Sequence, residues 1–122
     1  MVSMLSTKLR QLGNIGILSL QGSLCRSTWA EANKIIESLN TTAWDGFALD
    51  ASQLVHFDSK GLEWFFNFGK SMQKYGLTVC IYGLSEELLS VLELIDLEDS
   101  IFILPTEDDF LSLLGNISLQ PA

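Results

Sequence analysis

The sequence predicts an α/β fold: a single domain in which a mixed, largely parallel four- to five-stranded sheet packs against about four helices. Apolar runs of strand length alternate with segments of helical apolar spacing along the chain. Its 122 residues are room for one core and no second. Hydrophobic residues make up 48% of the sequence and are spread along it, enough to bury that core.

Thr7 to Leu12 and Ile15 to Gln21 are extended segments joined by the tight polar turn Gly13-Asn14, an opening hairpin. A loop from Gly22 to Ser27 leads to Thr28, placed to cap a first helix with Glu31 three residues on. Ala32, Ile35, Ile36 and Leu39 then recur at helical spacing to an end near Asn40. Phe47-Ala48-Leu49 is a short apolar run before Asp50, the pattern of a buried strand, and Leu54, Val55 and Phe57 carry the chain on to Asp58. From Ser59 to about Tyr75, Leu62, Phe65, Phe66, Gly69 and Gln73 fall on one side of a helix that Gly76 stops.

Leu77 to Tyr82, bounded by Gly76 and Gly83, is a buried strand. Ser85 caps a third helix, with Glu86 and Glu87 near its positive end and Leu88, Leu89, Leu92 and Ile95 facing inward. Ile101 to Leu104 is the last strand, stopped by Pro105, and Thr106 with the acids Glu107 to Asp109 opens a final helix carrying Phe110, Leu113 and Leu114. The order β-β-α-β-α-β-α-β-α implies crossover connections and parallel pairing of the later strands. The domain is expected to span 7–114, with 115–122 as a flexible tail.

Seven Lys and Arg stand against fifteen Asp and Glu, a formal net charge of -8. Nucleic acid and anionic membrane surfaces are excluded as partners, because no basic run is present to neutralise phosphates. The start Met1-Val-Ser-Met-Leu-Ser has no charged segment followed by a long apolar stretch, and no window approaches the roughly 20 apolar residues that span a bilayer. No membrane insertion is expected, and the location expected is cytoplasmic. Cys25 and Cys80 are then free thiols, Cys80 a small core filler. Two separated cysteines and one histidine make no metal site, and no glycine-rich phosphate loop appears, so neither metal nor cofactor is expected.

The most informative stretch is Asp58-Ser59-Lys60-Gly61-Leu62, where a strand hands over to a helix. A hydroxyl there lies beside unpaired backbone N–H groups and the positive end of the helix dipole, so an added phosphate would be tolerated and would place nearly two negative charges at one point. Spacing alone is equally served by Asp58 or Ser59 as a plain N-cap and Gly61 as a point of close approach. At about 100° per residue, Trp64 lies nearly opposite Leu62 with Phe68 one turn on, off the core stripe. Unless another element covers them, they form with Lys60 an aromatic protein-binding patch. His56, Asp58 and Ser59 invite a catalytic triad, but neighbours in one strand-to-helix turn rarely meet its geometry, and no enzyme is expected. The acids Glu86-Glu87 and Glu107 to Asp109 read as first-turn helix residues rather than metal ligands.

Phe47 to Leu62 resembles the STAS-domain signature: an apolar strand, an Asp, a hydrophobic spacer, then Asp-Ser-x-Gly-Leu. The resemblance runs from about Thr7 to Leu114 and takes in Gly22-x-Leu24 and Gly83-Leu84. The chain resembles the bacterial anti-sigma factor antagonists of this family, and the resemblance implies that Ser59 is phosphorylated by a partner that is both serine kinase and anti-sigma factor. The unphosphorylated form would bind that partner and free a sigma factor; the phosphorylated form would let go and await a serine phosphatase. Taking the motif and the aromatic patch together, the expected partner surface comprises Asp58, Ser59, Lys60, Gly61, Trp64 and Phe68 with Gly22 and Cys25. Many antagonists carry Gly-x-Leu-Asp where this chain has Gly22-Ser-Leu-Cys25, and a small residue where it has Lys60. A cation at 60 would pair with a phosphate or alter the choice of partner. Two other roles stay open: a constitutive scaffold subunit of a stressosome or lipid-transport complex, and a small-ligand sensor or hydrolase using a pocket near Asp50, Cys25 and Asp58. Homodimerisation through Trp64 and Phe68 is a further option.

Overall fold

Strands Leu5–Leu12 (β1) and Ile15–Leu24 (β2) pair antiparallel across a turn in which Gly13 takes a left-handed φ of 59°. Strands Gly46–Phe57 (β3), Thr78–Tyr82 (β4) and Phe102–Leu104 (β5) follow in parallel, giving a five-stranded sheet of order β1-β2-β3-β4-β5. The helices are Trp29–Ser38 (α1), Ser59–Lys74 (α2), Glu86–Leu94 (α3) and Glu107–Ser118 (α4). The computed structural model describes residues 4–39, 44–94 and 101–118, with 113–118 as backbone only. The mixed, mostly parallel sheet and its four helices are those the alternation predicts.

β2 runs to Leu24, into the expected loop, and β3 is one strand of twelve residues where the sequence suggested a short run and a continuation. The polar middle of β3 is absorbed by an irregularity: the pairing with β2 shifts between Ser19 and Gln21, and the Asp50 Oδ1 accepts hydrogen bonds from the Ser52 N–H (3.0 Å) and Oγ (2.7 Å). Asn40 and Ile95, and the side chains of Leu113 and Leu114, lie outside what is described. α4 continues through residues 115–118 of the expected tail.

One sheet face carries Leu18, Leu20, Phe47, Leu49, Val79 and Ile81 under Ala32 of α1, the aromatic stripe of α2 and Leu88 and Leu92 of α3. The other carries Ile17, Ala48, Cys80 and Tyr82 under Phe110 of α4. The expected orientation of α2 is corrected here. Its buried residues are Gly61, Trp64, Phe65, Phe68, Gly69 and Met72; Leu62 and Phe66 are only half-buried and Gln73 is exposed. The stripe is one residue out of phase with the one anchored on Leu62, a rotation of about 100°. Trp64 and Phe68, each 0% exposed, are core residues. They stack on one another at 5.0 Å, and Phe68 meets Phe47 of β3 at 5.3 Å.

Ser85 accepts from the Leu88 N–H at 3.3 Å and so caps α3. Thr106 and Asp109 form a reciprocal box at the start of α4: the Asp109 N–H donates to Thr106 Oγ1 and the Thr106 N–H to Asp109 Oδ2, both at 3.2 Å.

Candidate functional site

The site is built where β3 ends and α2 begins. Asp58, in extended backbone, is the N-cap of α2: its Oδ1 accepts the Gly61 N–H at 3.0 Å, and its carbonyl accepts the Leu62 N–H at 3.0 Å. Its second oxygen, Oδ2, accepts the Arg26 N–H at 3.0 Å, so one carboxylate ties the helix start to the loop between β2 and α1. Partial burial works against the charged form, but the N–H groups of Arg26, Gly61 and Lys60 and the nearby His56 outweigh it, and Asp58 titrates below the usual carboxylate range.

Gly61 is required by close approach. A Cβ there would fall on the Leu24 carbonyl oxygen and crowd the Phe57 Cβ, so a side chain would force α2 away from the end of β2. Gly22, at a φ of 104°, leaves room for the Met4 carbonyl, which accepts the Ser23 N–H at 2.9 Å and ties β1 to the same end of β2. Thr28 is the N-cap residue of α1, as the sequence suggested, and its carbonyl accepts the Ala32 N–H at 3.0 Å, but its side chain makes no capping bond. Its buried hydroxyl turns back, donating to the Ser23 carbonyl at 2.9 Å and accepting the Cys25 N–H at 3.0 Å, which fixes the loop that presents Arg26. Cys25 is buried beneath that loop with its Sγ 3.2 Å from Ser27 Oγ.

Ser59 is exposed, and among the described residues its hydroxyl enters no hydrogen bond. The Gly61 and Leu62 N–H groups of the helix start are already engaged by Asp58, so an anion added to Ser59 would turn to neighbouring side chains as well. Two cations are carried by the adjoining segments. The Lys60 Nζ lies 3.2 Å from Glu63 Oε2 and 5.3 Å from the centre of the Trp29 ring, and the Arg26 side chain is exposed. Neither Arg26 nor Trp29 stood out in the sequence. The available signal was position: Arg26 is the first charged residue after Gly22-x-Leu24, at the strand end that faces the serine.

Asp50 stands apart from this site, on the face that α4 partly covers. The Arg10 Nη2 donates to the Tyr82 hydroxyl at 3.2 Å and lies 3.6 Å from Asp50 Oδ2 and 3.9 Å from Glu107 Oε1. Burial pushes the Tyr82 hydroxyl up to about 12, Asp50 and Glu107 adding to the shift and Arg10 opposing it. The shallow cleft beside Asp50 is lined by polar residues such as Lys8, Ser19, Ser52 and Gln53, and includes neither Cys25 nor Asp58. In that cleft's lining, Asp50 thus stands apart from the pair Cys25 and Asp58. His56 is exposed and makes no hydrogen bond to Asp58 or Ser59 among the described residues. There, no group of three His, Cys, Asp or Glu side chains is placed to hold a metal, and no helix is long and apolar enough to cross a membrane.

A comparison with curated proteins finds no match. Solved structures do match. A putative anti-sigma factor antagonist from Thermotoga maritima superposes with a TM-score of 0.74 at 17% identity, over 89% of this chain and 94% of that one. The anti-sigma factor antagonist SpoIIAA in its unphosphorylated form gives 0.67 at 11% identity, over 94% and 100%. A chain from the molecular architecture of the stressosome, a signal integration and transduction hub, gives 0.70 at 14% identity, over 93% and 100%. At these identities the likeness is one of fold. The STAS domain model, however, matches residues 6–110, nearly the whole described chain, and the protein belongs to the STAS domain family.

Proposed function

We propose that this chain is an anti-sigma factor antagonist that works by binding and release rather than by catalysis. Its partner is an anti-sigma factor with serine kinase activity; phosphorylation of Ser59 ends the binding, a serine phosphatase restores it, and transcription is regulated indirectly in the cytoplasm. The observation that carries the proposal is the exposed Ser59 hydroxyl, free of hydrogen bonds among the described residues, at the first position of a helix whose start Asp58 and Gly61 hold rigidly. Kinship with the STAS family and the fold shared with antagonists support the same role. Trp64 and Phe68 drop out of the binding face, which falls instead on Arg26, Trp29, Ser59 and Lys60.

Intact-mass spectrometry of the protein from its native host, with peptide mapping, tests this directly. One phosphate on Ser59 that disappears in Ser59→Ala is expected, and Ser59→Asp is expected to lose capture of the kinase that Ser59→Ala retains. Absence of phosphate under every growth condition, with partners still co-purifying, would instead support a constitutive scaffold of the stressosome kind.

A further inference from the structure

We infer that the partner docks at Ser59 through carboxylate side chains received by Arg26 and Lys60, and that a phosphate on Ser59 ejects the partner by taking the same two cations. The inference rests on the proposed switch and names the chemistry of its partner.

The first observation is the distribution of charge. Residues 1–30 contain Lys8, Arg10 and Arg26 and no acid, while all fifteen Asp and Glu lie beyond them in a chain of net charge -8. Arg10 is already engaged by Asp50, Glu107 and Tyr82. Arg26 is different: its backbone N–H is held by Asp58, while its exposed guanidinium enters no ion pair among the described residues. Lys60 is brought to the same place by its contacts with Trp29 and Glu63. The pair with Glu63 is of the exposed kind, worth about 0–1 kcal/mol, and yields readily to a better acceptor.

The second observation is a contrast among helix starts. Two acids occupy the first turn of α3 and three that of α4, whereas the first turn of α2 holds none and carries Lys60 instead. The Asp58 carboxylate is engaged by the backbone N–H groups of Arg26 and Gly61. An acidic partner surface is therefore repelled by most of this molecule and received at Ser59, which fixes the orientation of docking as well as its place. A phosphate on Ser59 would find the Gly61 and Leu62 N–H groups occupied and would turn to the cations of the adjoining segments, Arg26 and Lys60. Forming charge-assisted bonds to them, it removes the receivers of the partner's carboxylates and adds repulsion.

The test is an amide-shift titration of the labelled protein by NMR with a hexaglutamate peptide at low and high salt. Expected are shifts confined to residues 25–29 and 58–63 that vanish at high salt. An affinity loss of about tenfold or more is expected in Arg26→Glu/Lys60→Glu and in Ser59→Asp, with none in Lys34→Glu, an exposed control on α1. Circular dichroism of the variants reports that they fold. No shifts, or shifts centred on Lys8 of β1, would overturn the inference. Phosphate on Ser59 without hexaglutamate binding leaves the switch standing and this docking chemistry refuted; the opposite result keeps the cationic surface as an acidic-peptide site and refutes the exchange with phosphate.

Discussion

On one face of the sheet, Phe47, Leu49 and Ile81 lie beneath α2, which buries Trp64, Phe65, Phe68 and Met72, with α1 and α3 closing the sides. On the other, Ile17, Ala48, Cys80 and Tyr82 lie beneath α4, which contributes one buried side chain among the described residues, Phe110. Phe110 stacks on Tyr82 at 5.0 Å, and the Arg10–Glu107 contact at the rim is long and exposed. The two helices thus differ in what holds them. The helix that presents Ser59 is anchored by interlocking aromatics along its length, so charge can be added at its tip without moving it. Among the described residues, the helix on the other face is held by one buried ring, Phe110.

The largest consequence falls on Trp64. Truncating a wholly buried aromatic costs about 3–5 kcal/mol, a large part of the stability of a domain this size, so Trp64→Ala should lower the urea midpoint steeply or abolish folding. Had the indole faced outward, the change would stay within about 0.5 kcal/mol. Phe110→Ala should cost less, about 2 kcal/mol, because it removes one contact layer and leaves the main core intact. Native-state hydrogen exchange sharpens the contrast: amides of α4 should lose protection in Phe110→Ala while those of α2 keep theirs. Equal acceleration in both helices would mean that the faces are a single cooperative unit.

The fold was legible in the sequence because its signals are local. Gly13, Gly76 and Pro105 punctuate the chain, and the periods of two and 3.6 residues mark the elements between them. The phase of α2 was not legible for a specific reason. Its close approach to the end of β2 is made at Gly61, which carries no side chain and adds nothing to a hydrophobic pattern, so Leu62 became the anchor and Trp64 and Phe68 were turned outward. Asp58, Ser59 and Gly61 could be read from their motif. Arg26 could not, since its bond to Asp58 joins residues 32 apart in sequence. The Thr28 hydroxyl misled in the opposite way: its spacing to Glu31 fits a cap, yet it is used by its own loop.

The smallest effect expected lies at the rim of the well-packed face, where Asp58 closes α2. Losing an N-cap costs about 1 kcal/mol, so Asp58→Ala should destabilise less than either aromatic truncation while freeing the loop that carries Arg26. Its pH dependence identifies the cause. A carboxylate whose folded pKa lies below the unfolded value of about 3.9 stabilises the fold above that value, and the contribution fades as the pH falls through the folded pKa. The stability difference between the wild type and Asp58→Asn should therefore be fully present at neutral pH and shrink below about pH 4. A difference that stays constant on acidification would show that a feature of Asp58 other than its charge accounts for it.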